Sequence, residues 1–268
     1  NYYDGLIPGM RFFNKTILDR PINFDINPSY STKSRSFTGS FAFAVNQFRR
    51  NSNLYNIRYG ISTDYFHYAP DASYHRVNTS INLRLREYDY RDNHKQSINF
   101  RNIYVNREKS ELVNSDYEGK YSVFNVRYVD VKTEITKHFA FGGDVQLASK
   151  FGKVSGEISF RRLFDDNRLF SIRAFAGKFL YNNSDSDYFD FALDRPTDYM
   201  FDYNYLGRSE STGLFSQQYI IAEGGFKSKI VNPFAGDWIA TTNISYTLWN
   251  WIEAYGDLGF IKDIGTKE

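Results

Sequence analysis

Asp64, His67 and Asp71 stand within nine residues, TDYFHYAPD. An imidazole between two carboxylates is the set from which a general base and its orienting acid are drawn, so a hydrolytic site is the chemistry to test first. The segment falls where an alternating stretch ends, which would put such a site on a rim. The plainer reading is an ordinary loop histidine among aromatics, and it is the one adopted. None of His67, His75, His94 and His138 belongs to an H-E-x-x-H pair, so no zincin site is present. No G-x-S-x-G elbow, phosphate-binding loop or dinucleotide fingerprint occurs either. Asp185, Asp187 and Asp190 offer oxygen ligands of the kind calcium takes, but without the spacing and glycine of a dedicated loop they read as a solvated surface.

Arginines form the other chemical set. Arg58, Arg84, Arg86, Arg127, Arg161 and Arg173 recur inside alternating segments rather than in turns. They could line an anion-selective pore; the favoured reading pairs them with acids such as Glu157, Glu253 and Asp257 in a crowded polar network.

Strands must position these residues. SINLRLREYDY sets Ile81, Leu83 and Leu85 against Asn82, Arg84 and Arg86, a period of two that gives one greasy face and one basic face. LYNIRYGIS sets Ile57 and Tyr59 against Arg58, and VFNVRYV sets Val126 against Arg127. VSGEISFR sets Ile158 and Phe160 against Glu157 and Arg161, and WIEAYGDLGFI sets Leu258 and Phe260 against Glu253 and Asp257. Helical spacing occurs nowhere over comparable length. About twelve to fourteen such segments, each about ten to thirteen residues, exceed the average soluble strand and suit a tilted membrane strand of about nine to eleven.

Composition points the same way. Phe and Tyr number 25 and 22 in 268 residues, and aromatics favour strands and membrane interfaces. Most lysines fall in turns or at strand ends (Lys33, Lys95, Lys109, Lys120, Lys150, Lys153, Lys262), while mid-strand polar positions are Ser, Thr, Asn, Gly and Arg. A soluble sheet would clothe its wet face with Lys and Glu. The expectation is therefore an all-β, antiparallel transmembrane β-barrel of about 12–14 strands in a bacterial outer membrane. Ile57, Tyr59, Ile81, Leu83, Leu85, Val126, Ile158, Phe160, Leu258 and Phe260 would face lipid, and the arginines and acids would face the lumen. A soluble β-sandwich is the alternative. The chain is read as one domain, 1–268, with a long irregular loop at about 182–216.

Several classes fall away. With 33 basic and 31 acidic residues the charge is too even to suggest nucleic acid. No cysteine is present, so disulfide frameworks and thiolate chemistry are excluded. No run is long and apolar enough for a membrane helix. The opening NYYDGL has no signal-peptide pattern, and the closing DIGTKE lacks a terminal aromatic strand, so at least one closing strand is expected to be missing.

Three stretches go beyond a generic barrel pattern: YYDGLIPGMRFFNKTILDRPINFDINPSYSTKSRSFTGS, DYMFDYNYLGRSESTGLFSQQYIIAEGGFK and WIEAYGDLGFIKD. Together they resemble the C-terminal membrane region of large bacterial proteins whose upstream part is a zinc metallopeptidase of the aminopeptidase-N-like family. They cover about a third of the chain, in the family's order. The resemblance implies a barrel that anchors a peptidase domain, with zinc expected only upstream and no cofactor or catalytic residue in this chain. It gives structural or interface roles to Gly5, Pro8 and Gly9, and to Tyr205, Gly207, Arg208, Ser209 and Glu210 of the long loop. Outer-membrane lipid is the partner a barrel implies; the alternative function is a barrel subunit of a multi-protein outer-membrane assembly, secretion or uptake complex, with other outer-membrane proteins as partners. A small pore is a further alternative.

Overall fold

The computed structural model describes residues 4–14, 16, 20–50, 52–87, 92–112, 118–195, 197–202 and 222–263. The strands are β1 (Phe12–Phe13), β2 (Ile22–Tyr30), β3 (Phe37–Phe48), β4 (Leu54–Ala69), β5 (Ala72–Arg86), β6 (His94–Arg107), β7 (Lys120–Thr133) and β8 (Lys137–Ala148). After them come β9 (Phe151–Leu163), β10 (Leu169–Asn182), β11 (Phe191–Ala192), β12 (Phe234–Ala235), β13 (Trp238–Trp249) and β14 (Ile252–Lys262). Twelve form one sheet in the order β1 to β10, then β13 and β14; β11 and β12 pair separately. No α-helix occurs among the described residues. The alternating, aromatic-rich segments fold as strands because each has one face to bury and bulky side chains that suit a pleated surface.

The turns follow local chemistry. Pro70 and Asp71 make the tight corner between β4 and β5. Asn167, at φ 61°, takes the left-handed position between β9 and β10, where Asn is tolerated better than a bulky residue. Its N–H donates to the Phe164 carbonyl at 3.0 Å.

The strand count meets the expectation, but β1 and β14 are the two edges, so the described sheet is not closed into a barrel. Two compact units divide the chain. Unit 1 comprises Asn1–Lys132 with Asp144–Ser149, and unit 2 comprises Thr133–Gly143 with Lys150–Glu268. In unit 1 the buried apolar residues include Ile103, Val105 and Val123, which lie on the same sheet face as Asn125. The expected polar face is thus polar over only part of its length. Unit 2 buries an aromatic group, Phe151, Phe175, Phe179, Phe189, Phe191 and Tyr199.

The N-terminal stretch docks alongside β2. The Tyr30 N–H donates to the Pro8 carbonyl at 2.9 Å, and Gly9 bridges Ser29. A Cβ on Gly9 would stand 2.5 Å from the Ser29 hydroxyl, so only glycine permits that approach.

Candidate functional site

Cross-strand partners in register point to the same side of a sheet, so the pairing assigns every strand residue to a face. In unit 1 one row runs Val45, Tyr59, Ile81, Phe100, Val126, and the next residues along give Asn46, Arg58, Asn82, Asn99, Arg127 on the other side. Ile57 pairs with Leu83, and Leu85 with Leu54, on the first side. That apolar face is largely uncovered: Tyr59, Ile81 and Phe100 are exposed. Ile57 is an exception, being 8% exposed beneath its neighbours. Polar groups interrupt the face where the Ser122 hydroxyl donates to Asn102 Oδ1 at 2.9 Å.

Unit 2 repeats the division. Ile158, Ala174, Thr242 and Leu258 form one row, with Phe160 and Phe260 on the same side; Ile158, Leu258 and Phe260 are exposed. The opposite, inner side carries Ser159, Arg173, Asn243 and Asp257 in one row and Glu157, Phe175, Thr241 and Gly259 in the next. Arg161, opposite Ser171, and Glu253, opposite Thr247, share that side.

The two inner faces differ in what they do with charge. In unit 2 the guanidinium of Arg173 donates to Glu157 Oε2 at 2.7 Å, to Asn243 Oδ1 at 3.2 Å and to the Glu223 carbonyl at 2.8 Å. Asn243 Nδ2 in turn donates to Asp257 Oδ1 at 2.9 Å. A strap spanning 222–230 lies over these groups: the Lys227 N–H donates to Asp257 Oδ2 at 3.0 Å, and its ammonium meets Glu253 at 3.1 Å. Gly225, at φ 72°, lets the strap turn against Asn243 and Arg173, where a Cβ would lie 2.4 Å from Asn243 Oδ1.

Beside the strap, Lys153 is the residue that sequence reasoning misplaced. It is not a surface strand-end lysine but lies on the inner face of β9, 2% exposed. Its ammonium sits 4.3 Å from the Phe191 ring centre and 4.9 Å from that of Tyr199, donates to the Phe189 carbonyl at 3.0 Å and faces Glu223 at 3.6 Å. Aromatic faces and a counter-ion together stabilise a desolvated ammonium. The signal was in the alternation: Lys153 shares parity with Ser155 and Glu157. Burial pushes the nearby Asp190 carboxyl up to about 6, with Asp187 and Asp263 adding to the rise while Asn182 and Lys153 oppose it. Asp194 is buried too, yet the Arg195 guanidinium at 2.9 Å and the Ile230 N–H at 2.7 Å hold its carboxyl below the usual range. The described part of the long acidic loop is therefore packed against the sheet.

In unit 1 the matching face carries the Asp64–Arg76 pair and, further along β4 to β6, a basic stretch. Arg58, Arg84 and Lys95 line a basin of about 680 Å³ with Ser80, Asn82, Ser97 and Asn99. Arg86 pairs with Lys95 across β5 and β6 and stacks over Tyr55 at 5.0 Å. Arg127 lies opposite Asn99. Among the described residues no carboxylate lines this basin. Each of the nine residues expected in the polar network lies on the polar side of its own unit, and Glu157, Arg173, Glu253 and Asp257 join the charge-compensated cluster of unit 2.

The aspartates and histidine of TDYFHYAPD do not meet. Asp64 faces Arg76 at 3.5 Å, His67 Nδ1 lies 2.8 Å from Asp4, and Asp71 accepts from Ser110 and from the Glu111 N–H, both at 2.7 Å. Those two donors hold the Asp71 carboxyl below its ordinary value. Alternation explains the separation, since residues three apart on a strand point to opposite faces. Asp187 and Asp190 bracket a 3-10 turn (Asp187–Phe189) rather than converging. No group of three or more potential metal ligands occurs among the described residues. Tyr205, Gly207, Arg208, Ser209 and Glu210 lie outside the described residues. Comparison with protein-family models matches none, and comparison with curated proteins returns no relative.

Proposed function

We propose that this chain is the membrane-spanning β wall of a bacterial outer-membrane protein, completed as a barrel, and that it anchors and positions an aminopeptidase-like zinc metallopeptidase domain lying upstream. The observation that carries the membrane half is the pair of opposed faces. Exposed apolar rows through Tyr59, Ile81 and Phe100 in unit 1, and Ile158 and Leu258 in unit 2, back onto faces rich in Arg, Asn and Asp. Lipid on the apolar side satisfies both faces at once.

Strand length supports the same reading. Trp238 and Trp249 mark the two ends of β13. Eleven steps at about 3.3 Å give roughly 36 Å along the strand, or about 28 Å of depth at a tilt near 40°, close to the hydrocarbon thickness. Edge strands β1 and β14 could not face hydrocarbon unpaired, so further strands or a neighbouring outer-membrane protein complete the wall.

The peptidase half rests on the resemblance of the three stretches quoted above. Vesicle flotation of the refolded chain tests the membrane half: co-flotation resistant to alkaline carbonate is expected, and a soluble monomer needing no detergent would overturn it. The gene tests the other half. An H-E-x-x-H motif with a following Glu is expected upstream, and an intact gene encoding only these strands would sink it.

A further inference from the structure

The apolar face of unit 1 stops abruptly at one end. Its row Ile57, Leu83, Ile98, Tyr128 is followed on the same side by Leu85, Gln96 and Asp130. At the next position on that side, beyond the apolar rows, His94 stands opposite Lys132 as the first residue of β6.

His94 is held from both sides. Its Nε2 lies 2.8 Å from Asp130 Oδ1, and its Nδ1 lies 3.0 Å from Glu87 Oε1. A neutral imidazole has one N–H and one lone pair, and an ionised carboxylate only accepts. With a neutral ring, one of the two contacts would set a lone pair against a carboxylate oxygen. Both are hydrogen bonds only when the ring is the doubly protonated imidazolium. The hydrogen bond to Asp130 is the chief cause raising the His94 imidazole above its ordinary value; burial opposes the rise and Glu87 adds to it.

The two anions are not anchored alike. Asp130 Oδ2 accepts from Gln96 Nε2 at 2.7 Å and from the Tyr128 hydroxyl at 3.1 Å. Glu87, exposed just past the end of β5, has the imidazole as its hydrogen-bond partner among the described residues. The other charged groups beside His94 are Lys132, in register on β7, and Asp92, whose carboxylate accepts from the His94 N–H at 2.9 Å. Arg86 and Lys95 pair on the opposite side of the sheet.

We propose that His94 is a pH-sensitive latch: as imidazolium it fastens Glu87, at the end of β5, to Asp130 of β7, and on losing its second proton it keeps Asp130 through Nε2–H and releases Glu87. The released state leaves a ring lone pair and a free carboxylate at the end of the apolar face. Because the folded imidazole holds its proton more tightly than an unfolded one, the latch's contribution to stability is full below about pH 6.5 and is lost as pH rises through the folded value. The inference stands on the cluster itself and does not depend on the membrane reading.

Nuclear magnetic resonance of the full folded chain with labelled imidazole nitrogens tests it, the His94 signals being assigned through His94→Gln. His94 is expected to titrate above the ordinary histidine value of about 6.5 and to become the Nε2–H tautomer at high pH. Glu87→Gln should lower its midpoint, and Asp130→Asn should lower it further. The Arg86 N–H donates to the Asn53 carbonyl at 2.9 Å, close to the latch. Protection of the Arg86 and His94 amides from exchange should fall about two- to fivefold as the ring becomes neutral, the span an exposed charge pair supports, and should show no such step in His94→Gln. A midpoint at or below the ordinary value, the Nδ1–H tautomer, or indifference to Glu87→Gln overturns the latch. So does amide protection that stays constant across the titration.

Discussion

On the inner face of unit 2, Arg173 meets Glu157, Lys153 meets Glu223 and Lys227 meets Glu253. On that of unit 1, Arg58, Lys95 and Arg127 meet no acid among the described residues. Both faces arise from the same alternation of polar and apolar residues. What separates them is the chain laid over unit 2, the segments 186–195, 197–202 and 222–236, which bring Phe189, Phe191 and Glu223 down onto the sheet. One face has its partners within the chain and is committed to packing. The other pairs Arg76 with Asp64 but leaves Arg58, Lys95 and Arg127 without an acid partner among the described residues.

The largest test of that difference is a matched pair of lysines. Lys153→Ala removes the ammonium from its ring of aromatics, opens a cavity and leaves Glu223 and the Phe189 carbonyl without their donor. Because Glu223 is itself partly exposed, the loss is expected near the low end of the buried-pair range, about 3 kcal/mol. Lys95→Ala, in unit 1, should lie within about 0.5 kcal/mol of the parent. Denaturant unfolding reads both, and protease cutting within 186–202 should rise for Lys153→Ala alone. Equal losses would mean that the two faces are not built differently.

The apolar sides give the next effect. Leu83 pairs with Ile57 on the face proposed to meet lipid, while Arg84 is its neighbour on the polar side. In bilayers Leu83→Arg should cost about 2–4 kcal/mol if it lies near the midplane, and Arg84→Gln far less. Should Arg84→Gln prove the more damaging of the two in a bilayer-unfolding titration, the assignment of faces is reversed.

Acid should act on unit 2 through one buried carboxyl. The folded Asp190 carboxyl, pushed up to about 6 by burial, holds its proton more tightly than an unfolded aspartate near the ordinary value of about 4. Its contribution to stability is therefore full below about pH 4 and is lost as pH rises toward 6, by about 3 kcal/mol. Asp190→Asn should flatten that slope and stabilise the protein at pH 8, since Glu223 remains as the counter-ion for Lys153. An unchanged pH profile would remove Asp190 as the group responsible.

How much of this was legible follows from what period two can and cannot carry. Alternation in SINLRLREYDY placed Leu83 and Arg84 on opposite faces without any knowledge of partners, and it did the same for Ile158 and Glu157. It also separated Asp64 from His67, which spacing along the chain had brought together. It could not say that the face bearing Asn125 turns apolar at Val123 and Ile103, because that depends on what lies across the strand. Lys153 was misplaced for a related reason. Its position near a turn suggested solvent, and only the return of Phe191 and Tyr199, some forty residues on, makes it a core residue. Long-range packing onto a sheet face leaves no local mark.

The smallest effect sets arginine against arginine. Arg173 is a half-buried hub, giving hydrogen bonds to Glu157, Asn243 and the Glu223 carbonyl, and Arg173→Gln keeps some donors but loses the charge and the fork. A loss of about 1–2 kcal/mol is expected, moderated because Glu157 remains partly solvated. Arg58→Gln removes a cation that has Arg84 near it and no acid to leave behind, so its effect should fall within about 0.5 kcal/mol and be stabilising in sign at low salt. Salt separates the two further. Added salt screens the repulsion among Arg58, Arg84 and Lys95, so the gap between parent and Arg58→Gln should close, whereas the hydrogen-bonded Arg173 cluster should respond weakly. If Arg58→Gln costs as much as Arg173→Gln, and salt does not change it, then Arg58 has a partner within the fold and the contrast between the two faces fails.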